Sequence, residues 1–230
     1  MRTAIRGLVT RTATSAFLVL ALACGAHAQA QMVPIPTLIN EADADQTGTD
    51  AGEFVELYGN PGASLDGFVV VFFNGSSDLS YAAFDLDGFS LDANGFFVLG
   101  NAGVANVGLE FAGNLLQNGA DAVALYLGNA VDFPLNTALT TANLQDALVY
   151  DTADPDDPGL LALLLPGQPQ IDENGTASGI TVSMQRCPDG GALRETSSYA
   201  LGTPTPGITN ACTVPVEPNT WGTVKGLFRN

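Results

Sequence analysis

The chain has 230 residues, of which seven are Lys or Arg, 24 are Asp or Glu and one is His, for a net charge of −17 at neutral pH. Acidity on this scale repels phosphate backbones and anionic headgroups, which excludes nucleic-acid binding through a basic patch. No segment beyond the N-terminal stretch is long and apolar enough to predict a membrane-spanning helix.

The first 28 residues read as a secretion signal of bacterial appearance. Arg2, Arg6 and Arg11 form a basic start, Ala16 to Ala23 a short apolar core, and Ala26-His27-Ala28 a small-x-small cleavage site, with Ala28-Gln29-Ala30 as a second option. Cys24 leaves a lipid anchor open, although Ala21-Leu22-Ala23 lacks the leucine usual three residues before such a cysteine. Removal of this segment leaves four cationic side chains against 24 carboxylates, a net charge of −20 on about 200 residues, which is enough for one domain with a sizeable core.

The mature chain reads as β throughout. Short runs of Val, Phe, Leu and Tyr are separated by Gly, Pro, Asn and Asp at the spacing of a sandwich. The predicted strands are Thr37–Glu41, Glu53–Tyr58, Phe68–Phe73, Ala82–Leu86, Gly95–Gly100, Ala120–Leu127, Gln145–Tyr150 and Ile180–Arg186. Phe68–Phe73 is apolar at every position, so it is expected to lie centrally with both faces covered. Asn74-Gly75 supplies the turn after it. Asp151 to Gly179 is a long, Pro-, Asp- and Gly-rich excursion between two strands. Within it, Leu160–Leu165 is expected to form a one-turn helix or a loop packed on the sandwich. Cys187 and Cys212 form one disulfide in an oxidising compartment, closing a loop of about 25 residues worth roughly 3 kcal/mol. Pro215–Pro218 reads as a linker. The tail after it places Trp221, Val224 and Phe228 at helical spacing with Lys225 and Arg229 between them, an amphipathic end suited to sorting, docking or anchoring.

Several of these segments, in this order, resemble the lamin-tail domain family of its exported bacterial type. Leu38-Ile39-Asn40-Glu41, the acidic stretch to Gly52 and Glu53-Phe54-Val55-Glu56-Leu57-Tyr58 resemble the family's opening hairpin. Leu65-Asp66-Gly67-Phe68 resembles its turn into the third strand, with Phe68 where tryptophan is common. Phe97-Val98-Leu99-Gly100-Asn101 and Asn118-Gly119-Ala120-Asp121 onward look like later strands. Ser183-Met184-Gln185-Arg186-Cys187-Pro188 and Thr203-Pro204 through Cys212 look like its closing segment. The resemblance implies an all-β, immunoglobulin-like sandwich over residues 33–213, between a signal at 1–28 and a linker and tail at 214–230. It also implies a binding or scaffold role, exercised on a protein or glycan at the cell surface or outside the cell.

Little catalytic chemistry is available. His27, the only histidine, lies in the signal, which leaves no histidine for Ser-His-Asp or Cys-His catalysis or for histidine-ligated zinc. No glycine-rich phosphate cradle is present. Asp151-Thr152-Ala153 matches half of an aspartic-protease motif with no second half. The expected role is therefore a non-catalytic exported module. The alternatives are an accessory subunit of a secreted hydrolase or nuclease, and a small carboxylate-dependent hydrolase.

The remaining chemistry is that of oxygen ligands. Asp43-x-Asp45-x-Thr47-Gly48-x-Asp50 spaces hard donors like the front of an EF-hand loop, but the twelfth position is Phe54 and Glu53 is one residue out of register. With Glu41 from the neighbouring strand, the candidate calcium ligands are Glu41, Asp43, Asp45, Asp50 and Glu53. A solvated acidic loop is the alternative. Asp154, Asp156 and Asp157 form a second acidic cluster. Arg186, at a strand end among carboxylates, is expected to pair with one at the edge of the core.

Overall fold

The computed structural model describes residues 34–175 and 179–212. Among them, two sheets pack as a β-sandwich. The first sheet runs, from edge to edge, β11 (Tyr199–Gly202), β10 (Ser183–Arg186), β1 (Leu38–Asp43), β2 (Phe54–Tyr58), β5 (Phe96–Gly100) and β6 (Val107–Glu110). The second runs β4 (Leu79–Asp85), β3 (Phe68–Asn74), β7 (Asp121–Leu127), β8 (Leu144–Asp151) and β9 (Ile171–Asp172). Neighbours are antiparallel except β5 with β6 and β8 with β9.

Strand side chains alternate between faces, so each sheet is read twice. Ile39, Val55, Leu57, Phe97, Leu99 and Met184 of the first sheet meet Val70, Phe72, Val123, Leu125, Leu148 and Tyr150 of the second in the central core. Each large apolar side chain buried there contributes roughly 1.5–3 kcal/mol. The second sheet also buries its other face. Val69, Val71, Phe73, Ala122, Ala124, Tyr126, Ala147 and Val149 form a second cluster, capped by Phe133 and by Leu160, Leu163 and Leu164. This explains why β3 is apolar at successive positions: Val69 through Phe73 are all fully buried. It also places the Leu160–Leu164 part of the excursion as a lid on the sheet, with a 3-10 turn at Leu160–Leu163.

The outer face of the first sheet is covered differently. The segments on either side of β11, around residues 189–190 and 203–210, cover it as a strap, closed by the Cys187–Cys212 disulfide, whose Cα atoms are 5.4 Å apart. Beneath the strap the side chains are polar: Asn40, Glu41, Glu56 and Gln185 are at most 1% exposed.

The expected strands are all present, with shifted ends. β1 extends to Asp43, β4 begins at Leu79 rather than Ala82, and Gly179–Thr181 is a 3-10 turn, so β10 starts at Ser183. Ser183–Arg186 is not the last strand, because β11 comes after it. β6, β9 and β11 were not anticipated. All three are edge strands of two to four residues, too short for alternation to stand out, and each pairs along one side only. The expected signal, Cys24 and the tail with Trp221, Val224 and Phe228 lie outside the described residues. Among the described residues, no helix is long and apolar enough to cross a membrane.

Candidate functional site

Two groups of buried charge stand out, and they are built on opposite principles. The first is a seam between the sheets. Arg186, fully buried on β10, points into the interior, where its guanidinium lies 2.9 Å from a carboxylate oxygen of Asp146 on β8. Its Nε donates to the Ile39 carbonyl at 2.7 Å and its Nη1 to the Ala192 carbonyl at 2.8 Å. Asp146 also accepts the Ile39 N–H at 2.8 Å and the Arg194 N–H. The Tyr199 ring lies 5.0 Å from the guanidinium carbon, and its hydroxyl donates to the Ile39 carbonyl. Arg186 thus has the expected carboxylate partner, deeper than the edge position anticipated.

The strap completes a neighbouring polar layer. Glu41 and Glu56 face each other across β1 and β2. Glu41 accepts from Ser183, from Gln185 and from the backbone and side chain of Thr205. Glu56 accepts the Gly207 N–H at 2.6 Å and an Asn40 amide proton at 2.9 Å. Burial pushes the Glu56 carboxyl up to about 8 despite these donors, with the nearby Glu41 charge adding to the shift. Glu41 is therefore a strap contact.

The second group is an acidic pole at one end of the sandwich, where β1, β3, β5 and β8 end and β2 and β7 begin. In the β1–β2 loop, Asp45 and Asp50 are drawn together by Asn118. Its amide donates to Asp45 at 3.3 Å and to Asp50 at 3.1 Å. Asn174 donates to the other Asp45 oxygen at 2.8 Å. Asp43 is capped by the Gln46 amide at 2.6 Å, and burial raises its carboxyl to about 7, helped by the charges of Glu41, Asp45 and Asp50. Glu53 turns away to accept the Leu115 N–H at 3.1 Å and an Asn101 amide proton at 3.2 Å. Of the five candidate ligands, then, Asp45 and Asp50 share a bridging amide, Glu41 is engaged with the strap, and Glu53 keeps one buried oxygen that accepts nothing from the described residues. Among the described residues, no three His, Cys, Asp or Glu side chains stand ready to hold a metal ion.

Sequence reasoning missed four polar residues at this pole. Glu173 comes from the excursion to accept the Ala44 N–H at 3.0 Å, and burial followed by the Asp43 charge raises it to about 9. Asn118 and Asn174 each leave a buried side-chain oxygen that accepts nothing from the described residues. Asp121, the first residue of β7, does the same with one carboxylate oxygen. A polar residue heading an apolar strand is the one sequence signal that could have flagged it. Glu173 meets its partner across 129 residues, which no local pattern reports.

Asp121 lines a cavity of about 310 Å³ with Asn74, Gln117, Gly119, Asp154 and Asp157. Gly75 closes its wall: a Cβ there would fall 2.1 Å from the Ala120 carbonyl oxygen, so the turn after β3 requires glycine. Asp156 of the same acidic cluster is exposed. Comparison of the chain with protein-family models, with curated proteins and with solved structures found no match in any of the three.

Proposed function

We propose that the chain is an exported, non-catalytic binding module of lamin-tail, immunoglobulin-like type, acting on a protein or glycan at the cell surface or outside the cell. The observation that carries this reading is the division of labour between body and pole. The body is closed by a central core, a lid, a strap and a disulfide, which suits a rigid scaffold in an oxidising compartment. The pole gathers acidic loops from distant parts of the sequence, where sandwich modules carry their recognition surfaces. The antiparallel β1–β2 hairpin and the Leu65–Phe68 entry into β3 support the lamin-tail likeness.

The test is expression of the full gene in a bacterial host, followed by fractionation, N-terminal sequencing and screening of the recovered protein against surface glycans and surface proteins. The expected product lies outside the cytoplasm, starts near Gln29 and retains a surface component. Accumulation in the cytoplasm with Met1 intact, or sustained turnover of a substrate by the pure protein, would refute the reading.

A further inference from the structure

We propose that the cavity between the turn after β3 and the segment after β8 is a calcium site, anchored by Asp121 and completed by Asp154 and Asp157. Such a site is independent of export and of any surface partner, and one atom points to it. Asp121 is 2% exposed, and one of its oxygens accepts the Gly75 N–H at 3.0 Å. The other is buried and accepts from none of the described residues, although it belongs to a side chain that lines the cavity. A buried carboxylate oxygen left without a donor is costly, and native proteins rarely keep one without a use.

The neighbours make the cost greater. Asp154 and Asp157 share the cavity, and their negative charges add to the burial that already disfavours an ionised Asp121. Among the described residues, no cationic side chain relieves them. Arg186 and Arg194 are the only Lys or Arg among the described residues. Arg186 is spent on Asp146, and Arg194 donates to the carbonyls of Ala162, Leu163 and Leu164. A divalent cation would supply the partner that the buried Asp121 oxygen lacks and offset the charge of the two neighbouring carboxylates.

The chemistry of the lining selects the kind of cation. Carboxylates and amides are hard oxygen donors, and the cavity offers neither sulfur nor imidazole, which suits calcium over zinc or copper. At about 310 Å³ the space holds roughly ten water volumes, so the ion would keep part of its hydration shell. A shell of a few carboxylates and several waters corresponds to the weak extracellular class of calcium sites, with Kd of roughly 10⁻⁴–10⁻³ M. Asp154 is exposed; Asp157 is half-buried, and one of its oxygens accepts the Leu160 N–H at 2.9 Å, which leaves its other oxygen to turn to the ion.

Calorimetric titration of the chelator-treated full chain with calcium chloride, alongside thermal melts in calcium and in chelator, tests the assignment. The wild type is expected to bind in the sub-millimolar to millimolar range and to melt higher in calcium. Asp121→Asn should abolish both effects, and so should the double change Asp154→Asn with Asp157→Asn. The latter pair sits on an accessible loop and keeps the test decisive if Asp121→Asn fails to fold. Asp45→Asn with Asp50→Asn should leave both effects in place. Absence of binding by the wild type would overturn the site, as would binding that survives loss of Asp154 and Asp157. Loss confined to the Asp45 and Asp50 variant would place the ion in the β1–β2 loop instead and equally overturn it.

Discussion

The seam and the pole use the same acidic residue types to opposite ends. At the seam, Asp146 is surrounded by an arginine and two backbone N–H groups, so its charge is answered on every side. At the pole, Glu53, Asp121, Asn118 and Asn174 keep oxygens that the described residues do not answer. Burial alone is therefore a poor guide to function in this chain. A satisfied buried charge fixes how two sheets sit against each other, and an unsatisfied one is where a search for a bound ligand begins.

Breaking the seam should produce the largest effect. Arg186→Met leaves Asp146 buried without its counter-charge and is expected to cost about 3–5 kcal/mol, read by urea or thermal denaturation. Adding Asp146→Leu should recover much of that loss, because two matched apolar groups replace an orphaned charge. If the single variant is as stable as the wild type, the seam is not structural. Next in size, Cys187→Ser with Cys212→Ser removes the closure of a 25-residue separation and is expected to cost about 3 kcal/mol, with the same folded spectrum at low temperature.

The smallest effect belongs to the polar layer under the strap and depends on pH. The folded-state value for Glu56 is raised from 4.5 to about 8, so the folded protein holds a proton that the unfolded chain releases. Stability from this group is complete below about pH 4.5 and is lost as the pH climbs through about 8. Glu56→Gln should flatten that decline and leave the variant on the order of 1–3 kcal/mol more stable, relative to the wild type, at pH 9 than at pH 5. Denaturation midpoints across that range measure it. An unchanged slope would mean that Glu56 stays ionised beneath the strap.

Much of the sandwich was legible because its signals are local. The unbroken apolar run at Val69–Phe73 announced a sheet covered on both faces, and two cysteines sufficed to place one bridge. The short edge strands were not legible, since β9 offers only Ile171 and Asp172 to any pattern. The site was half legible. Spacing drew attention to Asp43, Asp45 and Asp50, but spacing could not show that Glu41 would be taken by Thr205 and Glu53 by Leu115. Nor could it show that Asp121, Asp154 and Asp157 would share a wall, because their meeting depends on how the ends of β3 and β8 lie beside the start of β7.

The order of strands in the first sheet carries a consequence for how the molecule comes into being. β1 opens the described chain yet lies in the interior of its sheet, between β2 and a strand whose residues sit more than 140 positions later. Until that late segment is synthesised, β1 presents an unpaired edge and Asp146 has no arginine to receive it. The first sheet therefore closes only when residues 183–186 are in place, which makes its assembly a long-range event rather than a local one.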